Sequence, residues 1–198
     1  MQPTIAPKRL QSLQTWALPG GIAVLCVLVA IVDGGNALRY ERALVGAEPW
    51  RLVTAHVVHL GWMHLALNLA GLLTIWALLG AQLRPGAWLA VCLACALAVS
   101  GGLSIFDPDL EWYVGLSGVL HGMFAAGAVA GMRRTPLFHG LLLAGVVAKV
   151  AWEQLAGADV GSGSLIGGKV IVDAHLYGLL AGLALAPLAW RTAVQDRG

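Results

Sequence analysis

An all-α membrane protein, one bundle of six spanning helices, is the fold class this sequence predicts. Three observations predict it. Of its 198 residues, 59% are hydrophobic and only 11% charged, against roughly 25% charged in a soluble domain. Six apolar stretches approach the length of about 20 residues that a spanning helix needs. Polar, proline-bearing or glycine-rich separators stand between them. The mean hydropathy of +0.79 agrees. A formal charge of +2 and the lack of any Lys/Arg run give no reason to expect nucleic-acid binding.

Residues 1–15 read as a cytoplasmic segment carrying Lys8 and Arg9. No small-residue cleavage pattern follows the apolar run from Trp16, so this run is expected to stay as a span. The spans are placed at 16–32, 60–80, 86–106, 115–132, 137–156 and 171–190, within a single domain of residues 16–190 and before a cytoplasmic tail, 191–198. The first separator, Asp33 to Arg51, is the longest and too polar to cross lipid. Arg84-Pro85-Gly86 divides the second span from the third, and Asp107-Pro108-Asp109-Leu110-Glu111 the third from the fourth. Arg133-Arg134-Thr135-Pro136 precedes the fifth, and a Gly/Ser-rich linker, Gly157 to Gly168, precedes the sixth.

Lys8, Arg9, Arg84, Arg133, Arg134, Arg191 and Arg197 fall on the side shared by both termini. The positive-inside rule therefore puts both termini in the cytoplasm. Cys26, Cys92 and Cys95 lie in apolar stretches and read as packing groups.

Ionisable and strongly polar side chains inside spans are expensive, so each is a functional candidate. The set is His64, Asn68, Ser117, His121, Lys149, Glu153, Asp173 and His175. His64 and Asn68 are four apart and share a helix face. They suit an oxyanion site or interhelical hydrogen bonding, and spacing does not choose between these. Ser117 opens the fourth span inside Gly115-Leu116-Ser117-Gly118, where unpaired backbone amides and the helix dipole favour negative charge. Taken alone it is a helix-capping serine more often than a nucleophile. His175 enters from the same external side at similar depth. Gly118/Gly122 and Gly178/Gly182 notch the two helices for close approach, so imidazole and hydroxyl can meet as in an activated nucleophile. Asp173, two residues from His175, faces away from it, so a Ser–His dyad is expected. Lys149 and Glu153 read as a structural pair. His56 and His59 read as interfacial or supporting, and His139 as unremarkable.

The ordered set His64-x-x-x-Asn68, Gly115-x-Ser117-Gly118 and Ala174-His175-x-x-Gly178-x-x-x-Gly182 resembles the rhomboid intramembrane serine proteases, as does Trp50-Arg51-Leu52-Val53-Thr54 with His59 upstream. The resemblance runs from about Trp50 to Gly182. It implies a six-helix rhomboid-like bundle with Ser117 as nucleophile and His175 as general base and acid. His64, Asn68 and the Ser117 backbone N–H would hold the oxyanion, and Trp50 and Arg51 would support the first loop. It also implies membrane-anchored protein substrates and no metal or cofactor. Many rhomboids carry tyrosine four residues after the serine; this chain has His121 there, which resembles the rhombosortase branch. That branch implies a bacterial inner-membrane enzyme acting on C-terminal Gly-Gly sorting signals, with its site toward the periplasm. His121, one turn below Ser117 on the same face, can pack under His175, donate a hydrogen bond to it or compete as base; packing or support is expected, because His175 sits in the family's base position. The competing readings are a general rhomboid protease and a haem- or metal-binding protein using His64, His121 and His175.

Overall fold

The computed structural model describes residues 8–32, 35–157 and 166–193, without the side chains of residues 8–15, 35 and 36. Asp33, most of the Gly157–Gly168 linker, the tail beyond residue 193 and the side chains of Lys8 and Arg9 lie outside the described residues.

A helix stands at each of the six predicted stretches. They are α1 Lys8–Ile31, α2 Trp62–Leu79, α3 Pro85–Phe106, α4 Ser117–Gly131, α5 Pro136–Ala156 and α6 Val172–Ala184. Pro85 and Pro136 start α3 and α5, where a missing N–H costs nothing. A 51° bend separates α6 from its continuation, Ala186–Thr192. Pro187 at the bend has no N–H for the carbonyl one turn back. By length and apolarity Trp62–Gln82, α3 and α5 can each cross a membrane, and α6 with its continuation adds a fourth if the bent pair is one span. The described part of the first span, Trp16–Ile31, and α4 are shorter. The chain is a multi-pass, all-α membrane protein. On α3, Leu89, Leu93 and Leu97 are four apart and about half exposed, the stripe a spanning helix turns toward lipid.

Helix α4 is the centre of the bundle. Val119, Met123, Ala126 and Gly127 are buried along it, and α2, α3, α5 and α6 all pack around it. The tightest pair is α4 with α6. A Cβ on Gly178 would run into the Gly118 carbonyl, and one on Gly182 into the Gly122 carbonyl. Backbone therefore lies directly on backbone, the arrangement that small residues at four-residue spacing permit. The same contact accounts for Gly118, where a Cβ would sit 2.7 Å from the Ala174 carbonyl oxygen. The space that Gly118 leaves is taken by α6, not left for a substrate.

The polar segment after α1 packs against the bundle. Its two-residue strand β1 (Tyr40–Glu41) pairs antiparallel with β2 (Trp112–Tyr113), just ahead of Ser117. The guanidinium of Arg42 donates to the carbonyls of Leu103, Ser104, Asp107 and Leu110 at 2.6–2.9 Å. These include the orphan carbonyls at the end of α3, which a helix cannot satisfy by itself. Replacing Arg42 by Ala removes these four bonds, and thermal unfolding in detergent should register a loss on the order of 2–3 kcal/mol. Buried Arg51 donates 2.5 Å to Glu48 Oε2 and 2.8 Å to the Arg39 carbonyl. These two bonds join Arg51 to Glu48 and Arg39 within the first loop. Trp50 is half exposed, and its backbone carbonyl accepts the Thr54 hydroxyl and the Val53 and Thr54 backbone N–H groups.

Candidate active site

Ser117 is the first residue of α4, and its hydroxyl makes no capping bond; the N-cap position is Leu116. The hydroxyl lies 2.9 Å from His175 Nε2, so the two helices bring together the pair that the notched faces predicted. The other ring nitrogen, His175 Nδ1, lies 2.9 Å from Glu153 Oε2 on α5.

That contact departs from the dyad expected from sequence. Glu153 does pair with Lys149 along α5, Nζ to Oε1 at 2.6 Å. Its second oxygen faces α6, which no spacing within α5 reveals. Asp173 instead interacts with Asp107 and Gln154. His121 stacks on His175 with ring centroids 4.2 Å apart and planes 20° apart, the packing position anticipated for it. Its Nδ1 is 2.7 Å from the Ser117 carbonyl oxygen, and its Nε2 3.1 Å from Lys149 Nζ. Ser117, His175, Glu153, Lys149 and His121 thus form a closed ring of contacts around the first turn of α4.

Gly115 precedes the serine at φ +126°, a backbone conformation glycine adopts without strain. A Cβ there would lie 3.0 Å from His64 Nε2, so the absent side chain makes room for the His64 ring. The Gly115 carbonyl accepts the Tyr113 hydroxyl at 2.9 Å and lies 3.2 Å from His56 Nδ1. His56 Nε2 is 3.0 Å from the Ala96 carbonyl. Buried His56 therefore bridges α3 to the turn before the serine, a supporting position. His59 packs edge-on against His64 at 5.1 Å. Burial, with His64 beside it, holds its pKa down at about 4, so the ring is neutral near pH 7. His139, at the far end of α4, is buried against Gly131.

His64 and Asn68 both face the serine's cavity. The Leu60 N–H donates to His64 Nδ1 at 3.3 Å, so the His64 proton belongs on Nε2, the nitrogen beside Gly115. Asn68 donates one amide hydrogen to the His64 carbonyl at 2.9 Å. The cavity, about 760 Å³, lies between α2, α4 and α5; its polar lining includes His64, Asn68, Ser117, His121, Lys149, Glu153 and His175, and apolar side chains make up most of the rest. A second, of about 430 Å³, reaches Ser117 and His64 between the 109–114 segment and residues 166–171.

The histidines do not gather as a haem or metal site built on His64, His121 and His175 would require. Among the described residues, the side chains whose ligand atoms lie within 4.8 Å of one another are His121, Glu153 and His175. The Lys149 ammonium already stands against two of them, so a metal ion would have to displace a cation in place.

A rhomboid domain matches residues 46–192, most of the chain and all of α2 to α6. The chain belongs to the rhomboid family. Rhomboids are intramembrane proteases that act on membrane proteins within the bilayer. This rhomboid is 28% identical over 147 residues to the "Putative rhomboid protease YdcA" of Bacillus subtilis (strain 168), covering 74% of this chain and 70% of that one. What the sequence did not disclose about this rhomboid is largely cross-helix: the reach of Glu153 to His175, the Lys149–His121 contact, and the grip of Tyr113 and His56 on Gly115. The only forward signal was an ionisable pair, Lys149 and Glu153, inside an apolar span.

Proposed function

We propose that this rhomboid is a serine-type endopeptidase with Ser117 as nucleophile and His175 as general base and acid. The observation that carries it is the 2.9 Å Ser117 Oγ–His175 Nε2 contact where the two cavities meet. A six-span topology with both termini cytoplasmic fits the charge bias and the six helices. Helix α4, with 15 residues, is only about 22 Å long, short of a hydrocarbon core of roughly 30 Å. Its serine end then lies below the external surface, with water entering through the smaller cavity.

A substrate helix enters laterally through the larger cavity and unwinds, since an intact helix hides its carbonyls. His175 Nε2 takes the Ser117 proton as Oγ attacks the scissile carbonyl. The developing oxyanion is held by His64 Nε2–H, by the second Asn68 amide hydrogen and by the Ser117 backbone N–H, which no helical partner claims. His175 then protonates the leaving amine, and the acyl group on Ser117 passes to water or to another nucleophile. His64→Ala and Asn68→Ala should each lower the cleavage rate on the order of 10²–10³ without a matching rise in KM, measured on reconstituted enzyme.

Within the family we place the chain in the rhombosortase branch, in a bacterial inner membrane with its site toward the periplasm. His121 carries that assignment, since it takes the position where many rhomboids have tyrosine. Substrates are then membrane-anchored proteins ending in a Gly-Gly signal, a spanning segment and basic residues. The test is a proteoliposome assay with a tagged Gly-Gly-tail substrate beside a generic single-span substrate, coupled to fluorophosphonate labelling mapped by mass spectrometry. Labelling of Ser117 and cleavage of the Gly-Gly substrate are the expected results. An unlabelled Ser117 in cleaving enzyme overturns the serine mechanism, and cleavage of the generic substrate alone overturns the branch.

A further inference from the structure

We infer that Glu153, held by Lys149, is a positioning residue that turns the Ser117–His175 pair into a Ser–His–Glu triad. The inference rests on the serine-protease reading above and adds to it a carboxylate from a third helix.

The directions of the contacts make the case. A lysine ammonium can only donate, and an ionised carboxylate or a backbone carbonyl can only accept. Lys149 Nζ therefore donates to Glu153 Oε1 at 2.6 Å and to His121 Nε2 at 3.1 Å. His121 must then carry its proton on Nδ1, which donates to the Ser117 carbonyl at 2.7 Å. On the other branch Glu153 Oε2 can only accept, so His175 carries its proton on Nδ1 and donates at 2.9 Å. The nitrogen left bare is Nε2, the one 2.9 Å from the Ser117 hydroxyl. Every contact in the ring has one donor and one acceptor, and the fixed polarity of Lys149 and Glu153 sets them all. The catalytic tautomer of His175 follows from this, not from chance.

Three consequences separate Glu153 from a merely structural residue. The carboxylate faces the imidazolium that forms when Ser117 gives up its proton, so it stabilises charge that develops only during reaction. Lys149 balances that carboxylate in the resting protein, which an unpaired anion at this depth requires. His121 is removed as a rival base, because its Nε2 lone pair is engaged by Lys149 and its Nδ1 proton by the Ser117 carbonyl. Its ring lies flat on His175 and blocks rotation away from the serine.

The test uses full-length protein in proteoliposomes, comparing wild type, E153Q, E153D and K149M for steady-state cleavage, fluorophosphonate labelling of Ser117, thermal stability, and ¹⁵N NMR of the histidine ring nitrogens. We expect E153Q to cut kcat by about 10²–10⁴ with KM nearly unchanged, and to slow labelling in parallel. The His175 Nδ1–H signature should be lost or redistributed between the nitrogens. E153D should recover part of kcat, and K149M should fall between E153Q and wild type. Wild-type labelling and kcat in a folded E153Q protein overturn the triad while leaving the serine mechanism intact. A fall in thermal stability with an unchanged His175 tautomer also overturns it, since that is the mark of a structural tie. Failure of the wild type to label Ser117 instead sinks the serine mechanism on which the triad depends.

Discussion

Ser117→Ala should abolish cleavage, lowering the rate on the order of 10⁴–10⁶, as loss of a serine nucleophile does in unrelated serine proteases. The change removes one oxygen from a side chain that caps no helix and whose hydroxyl faces His175. The fold should therefore survive, with thermal unfolding close to wild type and the rings of His175 and His121 and the Glu153 carboxylate still in place. That separation of activity from stability is what makes the experiment informative. A variant that cleaves at the wild-type rate would show that the hydroxyl is not the nucleophile. A variant that loses activity together with its fold would show that Ser117 is a packing residue.

Gly178→Val should fail for the opposite reason. Any Cβ at this position meets the Gly118 carbonyl, a backbone group of α4 that cannot swing aside as a side chain can. The helices must separate to admit it, and overpacking of this kind costs on the order of 3 kcal/mol. Separation also draws His175 on α6 away from Ser117 on α4, so cleavage should disappear along with stability. Gly101→Ala on α3 is the matched control, because nothing lies within 4 Å of a Cβ there. Its thermal unfolding should stay within about 1 kcal/mol of wild type. Equal effects of the two substitutions would remove the α4–α6 contact as the organiser of the site.

Much of the architecture was legible because a bilayer imposes its rules residue by residue. A stretch such as Pro85–Phe106 must hide its own backbone groups, so apolar length predicts a helix with little need for context. The spans placed at 86–106 and 137–156 began one residue late, because Pro85 and Pro136 are the first helical residues and not the last of the separators. The glycines at 118, 122, 178 and 182 announced a close crossing, since small residues four apart have few other uses in lipid. Ser117 and His175 stood out because polar groups at that depth need a reason.

Other features were hidden by the same physics. Strands β1 and β2 are two residues each, too short to carry a period, and exist because Tyr40 and Tyr113 meet across the bundle. Arg42 lies in the polar first separator, and its role depends on four carbonyls more than 60 residues away. Gly115 read as part of the motif around the serine, and the space it leaves is filled by the His64 ring.

By itself, then, the sequence determined that the chain is a helical membrane protein, where its long helices fall, and which few polar side chains need shelter inside it. Those are consequences of transfer free energy and backbone satisfaction, and both act locally. Only the tertiary structure decided what the polar side chains do to one another. Lys149 and Glu153 share a helix face in any fold, but the second oxygen of Glu153 reaches His175 because α5 and α6 cross where they do. A hydrogen bond depends on tenths of an ångström between helices, and periodicity along one helix carries no information about that distance.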